Sequence, residues 1–186
     1  INGTTEPNLT VIVKMDGVPI DTVVADGSGN WSTNQPTPLS DGPHQVTAIA
    51  TDAVGNTATD VNNFVVDTTP PPVDVVIPAV GSTTNDNTPT LSGTTDPNLT
   101  VYVLMDGVPI DTVVADGSGN WSTVQPTPLS DGPHAVTAIA VDSNGNSATD
   151  TNPFYVDTIP PTIFVDTPPD GSTTNDNTPL YTGRTE

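Results

Sequence analysis

Twenty aspartates and two glutamates, set against one lysine (Lys14) and one arginine (Arg184), are the side chains of this 186-residue sequence with the most chemistry to offer, and they give it a net charge of −20. Carboxylates can move protons or coordinate hard cations. The thiolate alternatives are closed, because the chain has no cysteine for a disulfide, a nucleophile or a soft-metal site. Its two histidines, His44 and His134, each follow Asp-Gly-Pro and stand 90 residues apart. They are too distant to share a metal, so a capping or surface role is expected for both. No Ser, His and Asp constellation with nucleophile-elbow spacing occurs, nor does a phosphate-cradling glycine loop, so no catalytic residue is expected. The segment Asp26-Gly27-Ser28-Gly29-Asn30 begins like an EF-hand loop. It lacks glycine at the sixth position and has Thr37 at the twelfth, where the bidentate glutamate belongs, and it reads as a turn. The charge excludes nucleic acid and an anionic membrane surface as partners, since both require a basic face.

The elements that position these carboxylates are strands. Thirty-three threonines, 21 prolines and 15 glycines dominate, and no window sustains the three-and-four apolar spacing of an amphipathic helix. No apolar run is long enough to span a bilayer, and the first residues do not read as a signal peptide, so direct membrane insertion is not expected. Val and Ile recur in ordered alternation, which argues for a folded all-β chain rather than a solvated polyanion.

Laid on itself at an offset of 90, the chain aligns without a gap, and 67 of 90 positions agree. Tyr181-Thr-Gly-Arg-Thr-Glu186 opens a third copy, so the sequence is expected to be two periods of a longer array. Turn signals divide each period into seven short strands. In the second copy these run roughly over Val73 to Pro78, Pro89 to Gly93, Leu99 to Met105, Pro109 to Ala115, Trp121 to Val124, Ala135 to Val141 and Ala148 to Val156. Between them lie Asn85-Asp86-Asn87, Asp96-Pro97-Asn98, Asp106-Gly107, Asp116-Gly117-Ser118-Gly119, a Pro-rich crossing from Gln125 to Pro133, and Asn144-Gly145. Seven strands in about ninety residues, with turns every 8 to 12, indicate tandem immunoglobulin-like seven-stranded β-sandwiches arranged end to end. The expected domains are 1–69, lacking its first strand; 70–159, complete; and 160–186, carrying the first strand and part of the second. This tail is expected either to be poorly ordered or to fill the vacant strand slot of a neighbouring molecule.

Differences between the copies separate core from surface. Leu99, Val101, Val103 and Met105 repeat Leu9, Val11, Val13 and Met15, while Ile12/Tyr102 and Lys14/Leu104 differ between them. Val136, Ala138 and Ala140 repeat Val46, Ala48 and Ala50 in the same way. Trp31 and Trp121, joined by Phe64 and Phe154, are expected to fill the sandwich centres.

Strands running alternately up and down gather the loops at two poles. Asp96, Asp116 and Asp142 fall at the upper pole of the second copy, and Glu6, Asp26 and Asp52 at that of the first. Asp86, Asp106, Asp131 and Asp157 fall at the lower pole, matched by Asp16, Asp41 and Asp67. End-to-end stacking would bring six carboxylates together near the linker Val66 to Pro72, where mutual repulsion raises pKa values or demands a cation. Hard oxygen ligands in flexible loops favour Ca²⁺. The expected metal ligands are Asp67 with Asp96, Asp116 and Asp142, then Asp157 at the next junction and Glu6, Asp26 and Asp52 at the preceding one. The alternative for each is hairpin chemistry alone, because aspartate is a turn former in its own right.

Several runs together resemble the bacterial Ig-like repeats of giant non-fimbrial adhesins: T-P-T-L-S-G-T-T-D-P-N-L-T-V-Y-V from Thr88, D-G-S-G-N-W-S from Asp116, L-S-D-G-P-H-A-V-T-A-I-A-V-D from Leu129, D-S-N-G-N from Asp142 and V-D-T-I-P-P from Val156. The resemblance covers essentially the whole chain. It implies a rod, exported by type I secretion in many members, that holds a terminal binding domain away from the cell and is stiffened by calcium at its junctions. It also implies that Asp67 and Asp157 are the linker aspartates. The expected function is therefore an extender segment of a secreted surface adhesin, outside the cell, with neighbouring repeats as partners and a host or biofilm ligand contacted by other domains. The alternative is a glycan- or host-protein-binding module presenting Tyr102, Leu104 and Tyr155. Ice binding is disfavoured, since no flat Thr-x-Thr ladder is present.

Overall fold

The computed structural model describes residues 1–185, and among them every regular element is a β-strand. Two compact units are present, Ile1–Thr69 and Pro70–Glu186.

Unit 1 holds β1 (Asn2–Thr4), β2 (Thr10–Met15), β3 (Val18–Val24), β4 (Asn30–Ser32), β5 (Gly42–Thr51) and β6 (Thr57–Val66). Unit 2 holds β7 (Val73–Ile77), β8 (Thr83–Thr84), β9 (Thr90–Thr95), β10 (Thr100–Met105), β11 (Val108–Val114), β12 (Asn120–Val124), β13 (Gly132–Val141), β14 (Ser147–Val156), β15 (Ile163–Thr167) and β16 (Thr182–Thr185).

In unit 2 a three-stranded sheet, β12-β9-β7, faces a five-stranded one, β11-β10-β13-β14-β8. The alternation in the sequence decides which side chains meet between them. Val101, Val103 and Met105 of β10 pair with Ala140, Ala138 and Val136 of β13, and all six are buried. Large opposite small keeps that floor level, and Trp121, Leu91, Phe154 and Val75 fill the space above it. Trp121 lies directly across from Gly93. A Cβ on Gly93 would stand 2.6 Å from Cζ2 of the indole, so the glycine provides its seat. The β10–β11 hairpin closes through Asp106 (φ 51°) and Gly107 (φ 78°), the double positive φ that a two-residue turn of this hand requires. At the sheet edge, Thr123 donates a hydrogen bond to Asp111, which also accepts the Thr112 N–H at 2.8 Å, tying β11 to β12 of the other sheet.

One element goes beyond the seven expected. After β7 the chain crosses to the other sheet, where β8 runs parallel to β14 through Tyr155 N–H to Ser82 O and Asp157 N–H to Thr84 O. Two residues are too few to show alternation, which is why the sequence reads only as a turn there.

Unit 1 repeats the β3-β2-β5-β6 sheet and the β1–β4 pair, but nothing in it corresponds to β7 or β8. Its core contains Val11, Val13, Ala25 and Trp31, while Val46, Ala48 and Ala50 are only half buried. Phe64, expected to fill the centre as Phe154 does, is instead 38% exposed against 0% for its counterpart. The strands that cover Phe154 have no equivalent in residues 1–69. Beyond the sandwich of unit 2, β15 and β16 pair with each other, Ile163 opposite Thr185 and Val165 opposite Gly183.

Candidate functional site

The loop aspartates are occupied as hydrogen-bond acceptors within their own turns. Asp116 Oδ1 accepts the N–H groups of Ser118 (2.8 Å) and Asn120 (2.9 Å), and the Asn120 amide reaches both its oxygens at 3.3 Å. Asp26 does the same with Ser28 and Asn30. Asp142 accepts from the Asn144 and Asn146 N–H groups and from the Asn146 amide, and Asp52 from Val54 and Asn56 likewise. An aspartate that accepts from residues two and four positions on closes the loop without any ion.

The other expected ligands are less committed. Asp67 Oδ1 accepts the Thr69 N–H at 3.1 Å, and Asp157 Oδ1 the Ile159 N–H at 3.1 Å. Glu6 and Asp96 are exposed, and their carboxylates accept no hydrogen bond from the described residues. The loops bearing Asp96 and Asp116 adjoin through Thr95 N–H to Gly119 O, and those of Glu6 and Asp26 through Thr5 N–H to Gly29 O. Asp142 directly follows Val141, which pairs with Thr100, so its loop lies at the same end of unit 2. At the other end Asp41 accepts from Thr68 N–H (2.9 Å), Thr68 Oγ1 (2.7 Å) and Thr69 Oγ1 (2.6 Å), and Asp131 accepts from Thr158.

These contacts change the electrostatic argument. The Asn30 and Asn120 N–H groups hold Asp26 and Asp116 below the usual carboxylate range, and the Asn56 and Asn146 side-chain amides do the same for Asp52 and Asp142. These four are ionised at neutral pH on the strength of their own donors, so repulsion alone does not require a cation. Among the described residues no three His, Asp or Glu side chains form a group that could hold a metal ion. The donor chemistry still suits calcium. Every candidate offers hard oxygen, a carboxylate bonded by one or two N–H groups keeps lone pairs for a cation, and Glu6 and Asp96 keep all of theirs.

The histidines have a structural task. His44 Nδ1 contacts Asp16 Oδ2 at 2.7 Å while Nε2 contacts Ser40 O at 2.7 Å, and His134 repeats this with Asp106 and Ser130. Both ring nitrogens face acceptors, which only the imidazolium satisfies. Hydrogen bonding to Asp16 raises the His44 pKa; for His134, burial opposes the rise, but the bonds to Asp106 and Ser130 outweigh it. A raised folded pKa adds stability that is complete below the unfolded value of about 6.5 and is lost as pH climbs through the folded value. The urea midpoint is therefore expected to fall from about pH 6.5 upward, and His44→Gln with His134→Gln to flatten that fall. Asp16 has the opposite sign, because its carboxyl is held low by His44 and releases its contribution only in acid.

Two polar residues that the pole argument passes over are among the most committed of all. Asp150 Oδ2 accepts the Val75 N–H at 2.8 Å, and Asn152 Nδ2 donates to Val75 O at 2.6 Å and Pro78 O at 3.2 Å. Their signal in the sequence is a polar pair on the inward phase of β14, the phase that continues into Phe154 and Val156. On the outer face of the five-stranded sheet, Tyr102 and Tyr155 are 45% and 52% exposed.

A family model described as bacterial Ig-like domain matches residues 1–68 and 77–158. No curated protein matches the sequence. Among solved structures, the chain is similar to fibronectin(III)-like modules of Clostridium thermocellum CbhA, at 18% identity and TM-score 0.47, over 84% of each chain. It is similar to a tetra-tandem repeat in the extending region of a large adhesion protein, at 27% identity and TM-score 0.44, over 89% of this chain and 47% of that one. A third is a Ca²⁺-stabilized adhesin that helps an Antarctic bacterium reach out and bind ice, at 22% identity and TM-score 0.45, over 89% of this chain and 46% of that one. The chain spans less than half the length of the last two.

Proposed function

Because this chain belongs to the bacterial Ig-like domain family, which matches it twice in tandem, we propose that it is a structural extender segment of a large secreted bacterial surface adhesin, rigidified by Ca²⁺ at its interdomain junctions. The observation that carries this reading is the manner of repetition. Along β2 and β10, β5 and β13, and β6 and β14, every difference between the copies falls on an outward-facing position, while the inward residues and the loop carboxylates recur. A spacer needs the same body many times over; an enzyme gains nothing from duplicating a site at each period. The location that goes with this reading is the cell exterior, reached by type I secretion, with neighbouring repeats as direct partners and a host or biofilm ligand met by other domains.

Asp67 with Asp96, Asp116 and Asp142 would hold the ion at one junction, Asp157 would serve the next, and Glu6, Asp26 and Asp52 the preceding one. Calcium supplies a hard dication that binds aligned poles better than bent ones and shifts the population by that difference in affinity. The uncommitted carboxylate of Asp96 is the ligand on which the reading depends most. Millimolar calcium is expected to raise the melting temperature over that in chelator, and Asp96→Asn to abolish the increment while leaving the chelator value unchanged. Asp116→Ala, by contrast, lowers melting in both buffers because it opens its own loop. An increment that survives Asp96→Asn contradicts the assignment.

The exposure of Tyr102 and Tyr155, where the first copy has Ile12 and Val65, favours a second reading as a glycan- or host-protein-binding module. Saturable binding on a glycan array, lost with Tyr102→Ser, would support it over the spacer.

A further inference from the structure

We infer that His44 and His134 are pH-operated latches on the chain where it leaves β6 and β14. The imidazolium holds the loop before β5 or β13 so that its aspartate tethers the threonines beyond the exit strand, and the neutral ring releases them. The parts recur in both copies. Asp41 accepts Thr68 N–H at 2.9 Å, Thr68 Oγ1 at 2.7 Å and Thr69 Oγ1 at 2.6 Å. Asp131 accepts Thr158 N–H and Thr158 Oγ1, both at 2.8 Å. These bonds fix the first residues past each exit strand, ahead of Pro70-Pro71-Pro72 in one copy and Pro160-Pro161 in the other.

The histidine acts on that tether through the residue beside the aspartate. Its Nε2 meets the carbonyl oxygen of Ser40 or Ser130, one position before Asp41 or Asp131, while its Nδ1 meets Asp16 or Asp106 in the hairpin turn. The turn is fixed in its own right, because Asp16 and Asp106 also accept the N–H of Gln45 and Ala135 at 2.8 Å. Each imidazole is 9% exposed and lies 5.9 Å from the Phe64 ring or 6.1 Å from the Phe154 ring, so little water reaches it. An imidazolium donates from both nitrogens. A neutral ring has one proton, and the carboxylate, as the stronger acceptor, keeps it on Nδ1. Nε2 then turns a lone pair toward the serine carbonyl oxygen, at 2.7 Å in one copy and 2.8 Å in the other. That contact becomes repulsive, the loop yields, and the aspartate moves with it.

The charges around each ring favour the closed form. Asp16 contacts His44, Asp41 stands next to Ser40, and Asp67 follows Val66, the ladder partner of Gly42; Phe64 of β6 is uncharged. Asp106, Asp131, Asp157 and Phe154 repeat the set around His134, and Asp86 adds a further carboxylate beside Asn87, whose carbonyl accepts Leu129 N–H. Both imidazoles titrate above the ordinary histidine value of about 6.5. The latch is therefore shut in mild acid and opens as pH climbs through the raised value.

The test is NMR spectroscopy of the isotopically labelled chain from about pH 5.5 to about pH 8.5 in chelator, reading both imidazoles and the amides of Thr68 and Thr158. Each amide is expected to titrate with the midpoint of its own histidine. Its exchange protection, corrected for the intrinsic rate, should drop about tenfold across that midpoint, as expected for the loss of one charge-assisted hydrogen bond. His44→Gln should make the Thr68 amide insensitive to pH and leave Thr158 responding. Asp16→Asn, which keeps the shape of the turn, should lower the midpoints of His44 and Thr68 together. Amides that stay put while the rings titrate, or a Thr68 response that persists in His44→Gln, overturn the inference.

Discussion

Trp121→Ala is expected to destabilise unit 2 by about 3–5 kcal/mol, the usual range for removing a fully buried aromatic. A domain of this size has about 5–15 kcal/mol in total, so most of its margin disappears. The size of the effect follows from the composition. Trp121 and Phe154 are the only aromatics among the buried core residues of unit 2, and the floor opposite them is built mostly from alanine and valine, which cannot expand into the vacated volume. The indole Nε1 has no hydrogen-bond partner among the described residues, so packing holds the ring, and Trp121→Phe should lose much less. Trp31→Ala is expected to have a smaller effect than Trp121→Ala, because Trp31 is 9% exposed against 2% for Trp121. Hydrogen exchange followed by mass spectrometry resolves the two units. It should show unit 2 peptides losing protection in Trp121→Ala while unit 1 peptides keep theirs.

Gly93→Ala should come next, at about 3 kcal/mol, by overpacking rather than by a cavity. The added methyl would stand 1.9 Å from Asp74 O as well as 2.6 and 2.8 Å from the indole carbons of Trp121. A ring can tilt, but Asp74 O belongs to a strand paired on β9 and can move only by unpairing from it. At the equivalent Gly3 the methyl meets the Trp31 ring, at 2.5 and 2.8 Å, and no strand backbone of the described residues. Gly3→Ala should therefore cost about 1 kcal/mol. Denaturant midpoints of the two variants compare the closed and the open sheet directly. Equal losses would mean that the indole, not the backbone of β7, sets the penalty.

Much of this architecture is legible in the residues. Alternation over Val101, Val103 and Met105, and over Val136, Ala138 and Ala140, assigns one face of each strand to the core, and the Asp106-Gly107 turn fixes the register between β10 and β11. Strand ends are less legible. β13 begins at Gly132, three residues before its apolar run, because Pro133 reads as punctuation although it occupies a ladder position opposite Tyr155. Phe64 looks like Phe154 in the sequence, and only the missing cover distinguishes them. The carboxylates are the least legible feature, since Asp-x-x-Gly-Asn offers turn closure and cation binding alike. The hydrogen bonds show Asp26, Asp52, Asp116 and Asp142 closing their turns and leave lone pairs on the same carboxylates for a cation. Asp150 and Asn152 carry no loop signal, because they act from within a strand, on the peptide groups of Val75 and Pro78.

The proposed stiffening by calcium is tested by small-angle X-ray scattering on the chain with calcium and then with chelator. A larger maximum dimension and a narrower distribution of interdomain distances are expected in calcium, reversed by chelation and absent in Asp96→Asn. Identical scattering curves in the two buffers would contradict it, and would leave the acidic loops as turns and solubilising charge.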